Sequence, residues 1–156
     1  MMGLRFEDIE IGLAADLGSY DFTRGNVLAF ARRYDPQVFH LDDRAAAASH
    51  FGRLAASGWH TAAAWMKCYV ATNDRLHAER AMGVASGPSP GFKEMKWPRP
   101  VYPGDRVRYS TRVTNKRELS SRPEWGLIFS HNEGINQHGE LVFSFSGKVL
   151  VRRRKS

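Results

Sequence analysis

An α+β fold class is predicted on three observations. The run 57–70 is apolar on nearly every side of a helix, and such a helix has to be enclosed, most naturally by an antiparallel sheet wrapped around it. From residue 106 onward apolar residues alternate with polar ones, the period of a half-buried strand. Between the two, Gly83, Gly87, Pro88, Pro90 and Gly91, then Pro98, Pro100, Pro103 and Gly104, leave room only for short strands and turns. No internal repeat or low-complexity segment interrupts this order.

The elements follow in chain order. Residues 4–20 read as a lead-in, with a turn at Gly12 and a short strand at 18–22. Thr23 is a helix N-cap, and Val27, Phe30, Ala31 and Tyr34 recur at helical spacing until Asp35-Pro36 stops the pattern. Asp42 or Asp43 caps a short alanine-rich helix through Ala48, broken at Phe51-Gly52. Ser57 caps the central helix, which runs to about Val70, after which the composition changes beyond Asn73. Short strands fall near 83–86 and 92–97. Val107, Tyr109, Thr111 and Val113 alternate with Arg106, Arg108, Ser110 and Arg112. Trp125–Ile135 is the next strand, and after the turn 136–139 a last long strand places Leu141, Phe143, Phe145, Val149 and Val151 on one face.

A chain of 156 residues is read as one domain, 1–156. No apolar run approaches the ~20 residues that span a bilayer. Glu7 and Asp8 stand where a secretory signal would have its apolar core, so a cytoplasmic location without membrane insertion is expected. Cys68 alone can form no intramolecular disulfide and is read as core packing. The net charge of +7 favours an anionic partner, either nucleic acid or a phosphorylated carrier. The tail Arg152–Lys155 taken alone reads as a solvated end.

The chemistry concentrates in two stretches. Asp35 and His40 flank Pro36 on irregular backbone, where a short loop can bring a carboxylate and an imidazole to one water, one group accepting a proton and the other supplying one. Ser57-Gly58 opens the central helix. Glycine admits a ligand close to the backbone, and a free N–H at a helix start can hold a developing oxyanion. His60, in the first helical turn, reads as a structural histidine, Asp105 as turn chemistry, and Asn132 and Asn136 as polar groups able to reach the site. No Cys/His cluster suggests a metal, and no glycine-rich phosphate loop is present.

Tyr34-Asp35-Pro36-Gln37, Phe39-His40-Leu41-Asp42, Phe51-Gly52 and Ala56-Ser57-Gly58-Trp59-His60-Thr61, continued by Trp97, Pro103-Gly104-Asp105, Ser121-Arg122-Pro123 and Asn136-Gln137, resemble the MaoC-like dehydratases, which include (R)-specific enoyl-CoA hydratases. The resemblance spans nearly the whole chain. It implies a single hot-dog fold and reversible hydration of a 2-enoyl-CoA, or a related acyl thioester, to a 3-hydroxyacyl thioester of R configuration. This is hydro-lyase chemistry of the kind used in fatty acid metabolism. Asp35 and His40 are the implied catalytic pair, with neither assigned as base or acid. The Gly58 N–H is implied to hold the thioester oxygen, and Ser57, Trp59 and Phe39 complete the candidate substrate-binding set, although the aromatic residues suit core or interface equally well.

No cofactor is implied beyond coenzyme A as part of the substrate, and the implied partners are an acyl-CoA or acyl-carrier thioester and a second copy of the chain in a homodimer. Arg99, Arg106, Arg108, Arg152, Arg153 and Lys155 are candidates to meet carrier phosphates. The (R)-hydratase pattern Asp-x-Asn-Pro-x-His is altered here, with Pro36 directly after Asp35, Gln37 in place of asparagine and Val38 in place of proline. Met66 stands where a helix serine would support the aspartate, and Thr61 or another hydroxyl is expected to substitute. A non-catalytic acyl-CoA-binding hot-dog protein is the alternative. A thioesterase ranks lower because 57–70 holds no Asp or Glu, and a nucleic-acid-binding domain ranks last for want of a motif.

Overall fold

The computed structural model describes residues 3–80 and 83–154. After a 3-10 turn at Phe6–Asp8 come β1 (Ala14–Asp21), α1 (Arg24–Tyr34), a second 3-10 turn at Val38–His40, α2 (Asp43–Ala47), α3 (Gly58–Arg80), β2 (Gly91–Lys96), β3 (Arg106–Glu118), β4 (Trp125–Ile135) and β5 (Leu141–Arg152). The strands form one sheet of order β1-β3-β4-β5-β2, with antiparallel pairing throughout. α3 lies across one face, as the apolar run and the alternating strands together require.

Capping chemistry sets the helix starts. The Asn26 N–H donates to the Thr23 hydroxyl (3.1 Å) and the Ala45 N–H to the Asp42 carboxylate (2.8 Å), which selects Asp42 over Asp43 as the cap of α2. β1 begins at Ala14, four residues before the expected strand, because a bulge between Asp16 and Gly18 lets the glycine-containing stretch stay paired with β3. Residues 84–86 make only isolated bridges, to Leu4 and Val151. Further bulges, at Val113/Asn115 in β3 and Gly134/Ile135 in β4, bend the sheet around α3.

Two differences concern the central helix. It continues through Arg80, ten residues beyond the expected end, because 71–80 lacks Gly and Pro and gains an Arg75–Glu79 pair at i, i+4. It is also not enclosed on all sides. Trp59, Met66 and Val70 share one stripe and are about half exposed, facing away from the sheet. The other side packs Ala64, Trp65 and Cys68 against Val107, Tyr109, Phe143 and Phe145.

The shared face of β5 divides between two clusters. Phe143 and Phe145 meet α3, whereas Val149 and Val151 meet Phe6, Ile9 and Ile128 beneath the N-terminal turn. Gly126 makes the second cluster possible, since a Cβ there would lie 2.1 Å from the Phe6 ring. Gly126→Ala must displace that buried ring and is expected to lower stability by about 1–3 kcal/mol, measured by urea unfolding.

Candidate active site

Asp35 is the C-cap of α1, its N–H held by the Ala31 carbonyl (2.9 Å), and Pro36 prevents another turn. The chain re-enters a single 3-10 turn that carries His40. The imidazole is 4 % exposed, packed edge-on against Phe39 (4.7 Å between ring centres) and beside Phe51 (5.7 Å). His40 Nδ1 lies 2.7 Å from the Ala55 carbonyl oxygen. A carbonyl only accepts, so Nδ1 carries the hydrogen, and in the neutral ring Nε2 presents its lone pair. Asp35 Oδ2 lies 3.4 Å from Nε2.

The carboxylate is held by two donors. The Ser57 hydroxyl donates to Oδ2 (2.6 Å) and the Gln37 amide to Oδ1 (2.8 Å). Burial works against the charged form, but these two hydrogen bonds and the neighbouring His40 outweigh it, leaving the Asp35 carboxyl below its ordinary range. Ser57 is fully buried and also accepts from the Trp59 N–H (3.2 Å), capping α3. It therefore sits behind the carboxylate rather than in an open substrate position. Met66 is half exposed on the outer stripe, and the Thr61 hydroxyl faces the Ser57 carbonyl (3.5 Å). The hydroxyl that supports Asp35 is accordingly that of Ser57, one residue before Gly58.

The Gly58 N–H has no acceptor among the described residues. Its peptide is fixed from the other side, where the Trp97 indole N–H donates to the Gly58 carbonyl (2.9 Å), and a Cβ on residue 58 would meet that indole at 2.7 Å. Glycine is thus required by close approach rather than by backbone angle. Trp59 packs against Trp97 at 5.7 Å and is 55 % exposed, while Phe39 faces inward behind His40. The site brings together Asp35, His40, Ser57 and Gly58, with Trp59 and Phe39 at its margins. Sequence reasoning missed Gln37 as a donor to Asp35 and Trp97 as the latch on Gly58. The Asp-Pro-Gln spacing could have signalled the first, but nothing local links residue 97 to residue 58.

Other candidates resolve as structural. His60 is stacked flat on Phe30 (4.7 Å) and bonded to the Tyr20 hydroxyl (3.2 Å); burial lowers its pKa to about 4. Asn132 is wholly buried in the sheet, its amide on Ser130 (3.1 Å), and Asn136 closes the β4–β5 turn with Glu140 (3.0 Å), so neither reaches the site. Asp105 holds the Tyr102 N–H and the Gln137 amide, as turn chemistry requires.

Most of the phosphate candidates already have partners. Arg99 pairs with Glu140, Arg106 with Asp21, Arg108 with Asp16 and Arg153 with Glu7 and Glu118, while Arg152 stacks on Trp125. Lys155 lies outside the described residues. Arg152 ends β5 and Arg153 pairs with Glu7 and Glu118, while Arg152 and Arg154 are exposed, as a solvated end would be. A surface cavity of about 820 Å³ is lined by Gly3, Arg5, Asp8, Glu124 and Arg152–Arg154, and it contains none of the site residues.

A curved sheet around one long helix, with a carboxylate–imidazole pair at the helix start, defines a hot-dog protein of the hydratase kind. The pattern described as a MaoC like domain matches residues 15–125, and the chain belongs to that family. It is similar to a MaoC-like dehydratase of known structure from Rhodospirillum rubrum, at 36 % identity and TM-score 0.80 over 99 % of this chain and 100 % of that one. A Mycobacterium tuberculosis protein with a double hot-dog fold is matched at 20 % identity and TM-score 0.73 over 99 % of this chain and 46 % of that one, a likeness of fold. Among curated proteins, the mesaconyl-CoA hydratase of Cereibacter sphaeroides is 38 % identical over 64 residues, 41 % of this chain and 18 % of that protein. The uncharacterized protein YdeM of Bacillus subtilis is 25 % identical over 150 residues, 96 % of this chain and 100 % of that one.

His60 determines one pH effect. Its pKa is about 4 in the fold and 6.5 as a free side chain, so below 6.5 the unfolded chain takes up a proton that the folded chain refuses. Stability is expected to fall as pH drops from 6.5 to about 4. His60→Phe, which keeps the stack but not the titration, should flatten urea-unfolding free energies across that interval.

Proposed function

We propose that the chain is a hydratase/dehydratase acting reversibly on a 2-enoyl-CoA or related acyl thioester. The observation that carries this reading is the approach of Asp35 Oδ2 to His40 Nε2 at 3.4 Å, with Asp35 hydrogen-bonded to Ser57, the residue before Gly58, whose N–H has no acceptor among the described residues. Both titratable groups face the gap as proton acceptors, so a water between them gives one hydrogen bond to each and turns a lone pair outward. That lone pair forms the new C–O bond at the β-carbon. The C=C electrons move onto the thioester oxygen, where the Gly58 N–H meets the enolate charge as it develops.

His40 Nε2 takes the water's proton, because Asp35 is held as an anion by Ser57 and Gln37 and is the weaker base. The resulting imidazolium is stabilised by the carboxylate beside it, and it returns the proton to the α-carbon. The two groups act as a coupled pair. The R configuration rests on the resemblance of the Asp35/His40 stretch to (R)-hydratases. Coenzyme A or an acyl carrier enters only as part of the substrate.

Two alternatives lose support. Ser57 supplies the hydroxyl missing at Met66, a departure that would otherwise favour a non-catalytic binding protein. The first acidic residue on α3 is Asp74, about 24 Å along the axis from Gly58 at 1.5 Å per residue, far from where a thioesterase would need it. We further propose a homodimer formed through the free edge of β2, with Trp59, Met66, Val70, Phe92 and Trp97 as the apolar surface covered. The cytoplasm remains the expected compartment; no helix among the described residues is long and apolar enough to cross a membrane.

The test is loss of enoyl-thioester absorbance with a panel of 2-enoyl-CoAs of increasing length, mesaconyl-CoA included because of the partial relative. Asp35→Asn and His40→Ala are each expected to lower kcat by about 10²–10⁴-fold. A wild-type protein that binds acyl-CoA without hydrating any of them would return the reading to a binding protein. Light scattering at micromolar concentration should give twice the chain mass; a monomer overturns the dimer.

A further inference from the structure

Asp35-Pro36-Gln37 is a clip closed twice. The Gln37 backbone N–H donates to the Asp35 carbonyl oxygen (2.8 Å), forming a three-residue turn centred on Pro36, whose ring restricts φ to about −65°. The side-chain amide of the same residue then reaches back over the proline to Asp35 Oδ1 (2.8 Å). Gln37 is exposed, and among the described residues its side chain makes no other hydrogen bond. Nothing about its position serves packing.

A carboxylate has two equivalent oxygens and turns easily about χ2. With the Ser57 hydroxyl as its only partner, the plane of the carboxylate could swing about that single hydrogen bond and turn the lone pairs of the bonded oxygen away from His40. An amide donor on the second oxygen fixes that plane. Oδ1 is then engaged, and Oδ2, which already receives Ser57, is the oxygen left facing His40 Nε2 at 3.4 Å. On the hydratase reading given above, we infer that Gln37 is a positioning residue: it sets the rotation of Asp35 so that Oδ2 meets the water shared with His40. The clip is built entirely within three consecutive residues. It therefore travels with the end of α1 and does not depend on how α3 packs.

The test compares wild type with Gln37→Ala and Gln37→Glu. The first readout, independent of activity, is the ¹³C-carboxyl titration of Asp35 in the free protein. The Asp35 midpoint is expected to rise by about half a pH unit or more in Gln37→Ala, and further in Gln37→Glu, where a like charge replaces the donor. The second readout is the pH dependence of hydration. kcat should fall about tenfold in Gln37→Ala with KM changed less than about twofold, and the acid limb of its profile should move up with the Asp35 midpoint. The unfolding midpoint should not change, because the side chain is exposed.

An Asp35 titration identical in the three proteins overturns the inference whatever the activity. A shifted titration with unchanged kcat also overturns it, since the orientation of the carboxylate would then not matter to the reaction. A wild-type protein inactive on every thioester, in which Asp35 still responds to residue 37, counts instead against the hydratase reading and leaves the clip standing.

Discussion

The part-buried hydrogen bond from Ser57 to Asp35 joins the two halves of the candidate site. Asp35 arrives at the end of one helix and Ser57 at the start of another, 22 residues later, and the bond between them is 2.6 Å long. Ser57 gives its only hydrogen to the carboxylate and takes one from the Trp59 N–H, so a single hydroxyl orients the anion and completes the first turn of α3. Without it a largely buried carboxylate would lose a charge-assisted partner, and the peptide carrying the free Gly58 N–H would lose its cap. The positions of the Asp35 carboxylate and the Gly58 N–H are thereby one constraint rather than two.

The rest of the molecule holds that first turn still. The Ala56 N–H bonds Val101, the Tyr109 hydroxyl donates to the Thr61 carbonyl, Tyr20 meets His60, and Trp97 donates to the Gly58 carbonyl. These contacts come from β1, β3 and the loop beyond β2, so the curvature of the sheet is what allows them to converge on one helix end. An N–H fixed in this way is preorganised, which is the property an oxyanion donor would need. His60 contributes as a neutral aromatic wedge between α1 and α3, stacked on Phe30 and kept uncharged by burial.

Charge is arranged differently from what net composition suggests. The +7 excess is spread over the surface, and the arginines most easily assigned to phosphate instead pair with Asp16, Asp21, Glu7, Glu118 and Glu140. Exposed pairs of this kind add little stability. They do consume the guanidinium groups that a composition count treats as free, so net charge does not say where an anionic ligand would bind. The uncovered surface is instead apolar, along the outer stripe of α3 and the β2 edge.

By itself the sequence determined the strands β3 to β5, the cap at Thr23, the end of α1 at Asp35-Pro36, and the candidates Asp35, His40 and Gly58. Each follows from local rules of alternation, capping and proline geometry that operate within a few residues. Only the tertiary structure decided that Ser57 rather than Thr61 supports Asp35, that Trp97 latches Gly58, that Asn132 and Asn136 stay away from the site, and that one face of α3 is left open. Those outcomes depend on contacts between residues 22 to 39 positions apart, or on where a curved sheet turns a side chain, and a linear pattern carries no distance across the fold.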